Sequence, residues 1–207
     1  HSDACPEGVE DLGANDDRTV AFSTQNNFYY LPGRPLHLDY IVGRHSNYSE
    51  VPAKVTGNDC FTAWPGGIDW YETVKLNYGI DYQNGYRRCF TPHPDTWGKM
   101  LGILLFWAAK GVDAFRCDMA EMVPVEFWHW AIANVRAHYP DIKFIAEIYD
   151  VGLYRPYIFE GGFDYLYDKV TLYDTLRAIE TGSVSAACLT SCWQTVEGIS
   201  GHMLNFL

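Results

Sequence analysis

Apolar positions recur at helical spacing over residues 94–110. Trp97, Met100, Leu101, Leu104, Leu105 and Ala108 form one stripe behind Pro94-Asp95, which predicts an amphipathic helix. Lys110 suits the negative end of that helix, and Gly111 suits the turn beyond it. The period then changes. Val112 to Cys117 is a short apolar run of strand length. Pro124 can open a second helix, on which Trp128, Ala131, Ile132 and Val135 recur and which Pro140 stops; Ile142 to Ile145 is a second strand-length run. A strand–helix–strand unit of this length predicts two parallel neighbouring strands. Further on, Phe163 to Tyr167 reads as a strand. Leu172 to Glu180 reads as a short helix with Leu172, Leu176 and Ile179 inward, capped by Asp168 or Asp174 and ended by Gly182. Ser183 to Gly198 carries another helix, and His202 to Leu207 reads as a strand.

Residues 1–93 keep no such period. They are rich in Gly, Pro, Asn, Asp and aromatic residues and predict long irregular structure, which in a compact protein is normally functional. Phe22, Phe28, Tyr29 and Tyr30 form one aromatic cluster there, and Trp70, Tyr71 and Tyr78 another; both are expected to pack rather than to bind.

Composition narrows the class. The chain has 207 residues, 48% of them hydrophobic and 16% aromatic, so it buries a core and is not disordered. Its net charge of -11 leaves no basic patch to dominate the surface and excludes a nucleic-acid partner. No run approaches the ~18 apolar residues of a membrane span. Six cysteines, at 5, 60, 89, 117, 188 and 192, show no CxxC spacing and no zinc pattern; Cys117 is expected as a buried free thiol. Asn47-Tyr48-Ser49 matches a glycosylation sequon.

Candidate chemistry lies at the ends of the two predicted strands, at Asp118 and Glu147. Adjacent strands are about 4.8 Å apart, so acids at matching heights stand roughly 5 Å apart, the separation of nucleophile and acid/base in retaining glycosidases. Arg116 shares the face of Asp118 and would keep it ionised. Glu147 lies among Ile145, Ala146, Ile148 and Tyr149, where partial burial is expected to favour its protonated form, as a general acid requires.

Phe115-Arg116-Cys117-Asp118, led by Gly111, resembles the second signature region of the alpha-amylase family, glycoside hydrolase family 13; Ala146-Glu147-Ile148-Tyr149 resembles its third. About thirty residues and one helix separate the pair. The resemblance implies a (β/α)₈ barrel with Asp118 as nucleophile at the end of strand four and Glu147 as acid/base at the end of strand five. It implies an α/β fold that is part of such a barrel, about strands 4–7 in residues 94–207, preceded by a domain-B-like insertion, residues 1–93, lining the cleft. Strands one to three and eight, and a third carboxylate, would then lie outside residues 1–207, and these residues alone would be inactive. Substrate-binding candidates are Arg116, Glu121, Tyr149 and Asn77; Lys75-Leu76-Asn77 loosely resembles the family's fifth region.

The implied reaction is retaining hydrolysis of α-1,4-glucosidic bonds in starch-like glucans, with an α-glucan or maltooligosaccharide as partner and no cofactor in the chemistry. The alternatives are a transglycosidase or glucosyl isomerase of the same family, or a non-catalytic sugar-binding relative. At Glu121 and Met122 the chain departs from the family's lysine and histidine, which puts a structural calcium at that point in question. An extracellular or periplasmic setting is expected ahead of a cytoplasmic one.

Overall fold

The structure is a computed structural model that describes residues 12–38 and 48–205. Cys5, Asn47 of the sequon, and Phe206 and Leu207 of the last predicted strand lie outside them. The chain divides into two compact units, residues 1–100 and 101–207. The division falls inside helix α1, Asp95–Ala108, which starts where Pro94-Asp95 predicts.

The first unit holds only two-residue strands among its described residues. Strand β1 (Tyr30–Leu31) pairs antiparallel with β2 (Ala53–Lys54), and β3 (Ile80–Asp81) with β4 (Arg87–Arg88). With so little ladder, side chains carry the backbone bonding. Asp16 accepts from the backbone N–H groups of Asn27 and Phe28 and from the Tyr30 hydroxyl. Tyr29, Leu31, Ala53, Val55 and Ala63 form the core, with Phe22, Phe61 and Tyr82 packed against it. Phe28, Tyr29, Tyr30 and Tyr78 are buried, so the first aromatic cluster packs as expected, whereas Trp70 stays partly exposed.

The second unit is built on one parallel sheet, in the order β5 (Ala114–Cys117), β6 (Lys143–Ala146), β7 (Tyr165–Tyr167) and β8 (Met203–Leu204). Spatial order equals chain order, as in successive βα units of a barrel wall. Gly111, at φ +84°, makes the left-handed turn into β5, a conformation that costs glycine least. Helix α2, Val125–Arg136, links β5 to β6; Pro124 sits just before its first turn, and its buried face is Phe127, Trp128, Ala131, Ile132 and Val135. Phe144 of β6 and Phe163 complete this core, and Trp128 meets Phe163 edge-on at 5.0 Å between ring centroids. Each such side chain contributes about 1.5–3 kcal/mol by leaving water.

Some elements differ from expectation. A six-residue helix, α3 (Tyr154–Phe159), follows β6; it is too short to show a period, and Asp150 starts the turn before it by accepting from Gly152 N–H at 2.8 Å. The helix expected from Leu172 begins as a π-helical turn, Lys169–Tyr173, and becomes regular in α4, Asp174–Glu180. Asp168, not Asp174, supplies the cap, accepting from Leu172 N–H at 2.9 Å. Helix α5 covers Leu189–Thr195. No helix among the described residues is long and apolar enough to cross a membrane.

Candidate active site

Register sets the site. In the β5–β6 ladder Arg116 stands opposite Ile145 and Cys117 opposite Ala146. Asp118 and Glu147 are the next pair, one step beyond both strands. The ladder runs on through them, because Glu147 N–H donates to Cys117 O at 3.0 Å and Ala120 N–H to Glu147 O at 2.9 Å. Both acids therefore leave the same, C-terminal edge of the sheet at one level, as their strand positions predict. Met119, next after Asp118, lies in the left-handed region at φ 42°, uncommon for a residue with a side chain. That turn aims its N–H at Glu147 Oε2, 3.1 Å away.

One guanidinium serves both carboxylates. Arg116 Nη1 bonds Asp118 Oδ1, and Arg116 Nη2 lies 3.0 Å from Glu147 Oε1. A rigid fork can hold two acceptors at once, which a point-like ammonium cannot. The Arg116 bond is the main reason that Asp118 lies below the ordinary carboxylate range; partial desolvation opposes it, and a hydrogen bond with Glu147 adds to it. The acids differ in surroundings, since the Asp118 side chain is 75% exposed and that of Glu147 only 17%. Tyr149 donates its hydroxyl to Glu147 Oε1 at 3.1 Å. Glu147 is thus held in place by three donors, and Asp118 is held charged beside it.

A cavity of about 300 Å³ opens beside the pair, lined by Arg116, Glu147, Tyr149, Tyr167 and Lys169. Tyr167 lies under the Arg116 guanidinium at 5.7 Å, and Lys169 is paired with Asp174. Sequence reasoning did not single out Tyr167 or Lys169. The available signal was position: Tyr167 is the last residue of β7 and Lys169 lies two residues beyond, at the C-terminal end of a barrel strand, where such folds place their chemistry.

Two expected substrate contacts are engaged otherwise. Asn77 is fully buried in the first unit; its amide donates to Ser23 O and Asn26 O and accepts from Gly79 N–H. Its polar atoms are spent on the backbone, a structural role in place of the expected sugar contact. Glu121 Oε2 accepts from Tyr149 N–H at 3.0 Å and Asp150 N–H at 2.8 Å, so it faces a turn rather than a ligand. Among the described residues no three His, Cys, Asp or Glu side chains cluster to hold a metal ion. Cys60, Cys89, Cys117, Cys188 and Cys192 are free thiols.

No protein-family model matches the chain. Among curated proteins it is 39% identical over 90 residues to an alpha-1,4-glucan:maltose-1-phosphate maltosyltransferase of Rhodospirillum rubrum, a match covering 39% of this chain and 13% of that protein. It is 36% identical over 90 residues to the protein of the same name from Mycolicibacterium smegmatis, covering 43% of this chain and 12% of that one. The chain thus matches only a small part of each relative's length. Among solved structures, cyclic alpha-maltosyl-(1→6)-maltose hydrolase of Arthrobacter globiformis superposes with a TM-score of 0.50 at 18% identity, over 74% of this chain and 30% of that one, a likeness of fold. Four parallel strands in chain order, the Arg116–Asp118–Glu147 constellation at their C-terminal edge and this likeness of fold agree: the second unit has the fold of part of a (β/α)₈ barrel, as the resemblance to the alpha-amylase family implies.

Proposed function

We propose that the protein cleaves α-1,4-glucosidic bonds in starch-like glucans with retention, with Asp118 as nucleophile and Glu147 as acid/base. One observation carries the reading: two carboxylates of unequal exposure leave neighbouring strand ends at one level and share one guanidinium. An Asp118 carboxylate oxygen attacks the anomeric carbon, the glycosidic C–O bond breaks, and Glu147 gives its proton to the departing oxygen. Glu147 then takes a proton from an incoming hydroxyl, whose oxygen attacks the same carbon and releases Asp118. In hydrolysis the incoming hydroxyl belongs to water. Arg116 holds Asp118 charged before it attacks and receives the carboxylate again when the second step releases it. The assignment of residues 1–93 to a cleft-lining insertion, and an extracellular or periplasmic setting, belong to the same proposal.

A second reading, transfer to a glucan hydroxyl in place of water, is favoured by the names of the two relatives, both maltosyltransferases. The chemistry at Asp118 and Glu147 is the same in either case.

The test uses the full enzyme with maltooligosaccharides, followed by proton NMR of the first anomer released and by chromatography of products. Asp118→Asn and Glu147→Gln are each expected to lower kcat by at least about 10²–10⁴-fold, with the α-anomer formed first. Near-parental turnover in either variant, or a β-anomer, sinks the double displacement. Longer glucans in place of free sugar select transfer over hydrolysis.

A further inference from the structure

We propose that Glu121 is a positioning residue whose carboxylate holds the turn that aims the Tyr149 hydroxyl at Glu147. The proposal rests on the reading of Glu147 as acid/base. The family resemblance places a lysine that reaches substrate where Glu121 stands. In this chain the charge is reversed and the side chain turns to the backbone.

The contacts form one path. Glu121 Oε2 accepts from two successive N–H groups, Tyr149 at 3.0 Å and Asp150 at 2.8 Å. These residues lie just past the end of β6 and have left its ladder, so their donors need another acceptor. A carboxylate holds such donors more strongly than a neutral group does. The base of the path is itself anchored, since the Tyr157 hydroxyl donates to Val123 O at 2.7 Å and to Glu121 O at 3.2 Å. The far side is fixed by Asp150, which accepts from Gly152 N–H. Between these anchors the Tyr149 backbone has little freedom, and its ring carries the hydroxyl to 3.1 Å from Glu147 Oε1. Without Glu121 the turn loses the acceptor for both N–H groups, and the hydroxyl loses its aim. Glu147 would keep Arg116 and Met119 N–H but lose its third donor.

The leaving group supplies a readout that general destabilisation does not move. A glucan alkoxide needs Glu147's proton; a dinitrophenolate leaves almost unaided. In the full enzyme, Glu121→Ala and Tyr149→Phe are expected to lower kcat/KM on maltooligosaccharides by about 10- to 100-fold, the cost of modest misplacement. On a dinitrophenyl α-glycoside the fall in kcat/KM, which reports the first step alone, is expected to stay within about 3-fold. Glu121→Gln, which keeps an oxygen for both N–H groups, is expected to restore most of the activity, and Glu121→Ala joined to Tyr149→Phe to cost no more than the worse single change. Equal losses on both substrates, a raised KM with kcat intact, or failure of Glu121→Gln to rescue would each overturn the proposal. Should Glu121→Ala not fold, Tyr149→Phe decides alone by the same comparison. Failure here leaves the roles of Asp118 and Glu147 standing, because their own substitutions test those.

Discussion

Asp164 ties the helix behind the sheet to the strand that carries Glu147, and its removal tests whether that tie holds the second unit together. Its Oδ2 accepts from Phe144 N–H at 2.8 Å and from Arg136 Nη2 at 2.5 Å, while its own N–H donates to Phe144 O at 3.0 Å. Phe144 is 0% exposed, so in Asp164→Ala its N–H finds no water; an unpaired buried donor costs about 1–3 kcal/mol. Arg136, half-buried, keeps Gly162 O at 2.9 Å but loses its carboxylate, for about 1 kcal/mol more. Lys143, at 3.6 Å and half exposed, adds almost nothing. The sum is about 2–4 kcal/mol, which for a protein of this size lowers Tm by about 4–16 °C. Asp164→Asn keeps an acceptor for Phe144 and is expected to cost less than half as much. Thermal and urea melts of the full protein followed by circular dichroism measure both. An Asp164→Ala variant within about 0.5 kcal/mol of the parent would refute the reasoning, since it would mean that Phe144 N–H finds another partner or that β6 does not depend on it.

Two further outcomes follow from the site's electrostatics. Arg116→Met removes the bond that chiefly keeps Asp118 below the ordinary carboxylate range. A nucleophile with a depressed pKa stays ionised as pH falls, so without Arg116 the acid limb of kcat/KM is expected to move to higher pH; a limb left in place would detach Arg116 from the ionisation of Asp118. Cys117 is buried on β5, and burial pushes its thiol up to about 12, so it is expected to resist iodoacetamide at pH 8 in the folded protein and to react once unfolded; alkylation at Cys117 before unfolding, located by peptide mass, would contradict the packing of that strand.

The parts of this structure that were legible in the sequence are those written in a period. Trp128, Ala131, Ile132 and Val135 declare one face of α2, and that face is buried. Asp118 and Glu147 each lie at the end of a strand-length apolar run, and the parallel pairing of the two strands brings them level. What was not legible depends on where a polar atom is spent. The partners of Glu121 are backbone N–H groups 28 and 29 residues away, which no local pattern encodes. Asn77 reads as a sugar contact in a loose motif, yet its amide is consumed by three backbone groups. The helix Tyr154–Phe159 has fewer than two turns and hence no period to read.

The same distinction, between a charge present and a charge available, bears on substrate. The cations lining the cavity are Arg116 and Lys169. Arg116 is shared by Asp118 and Glu147, and Lys169 is paired with Asp174. Glu121, where the resemblance expects a third cation, supplies an anion and gives it to the backbone. Around this cavity positive charge is therefore matched by carboxylates before any ligand arrives, which under the proposed function suits a neutral saccharide. A phosphorylated donor would have to take Lys169 from Asp174, whose side chain is 46% exposed and so costs little to return to water. Under the proposed function, Lys169 is accordingly where a preference for neutral glucans and a preference for sugar phosphates part company.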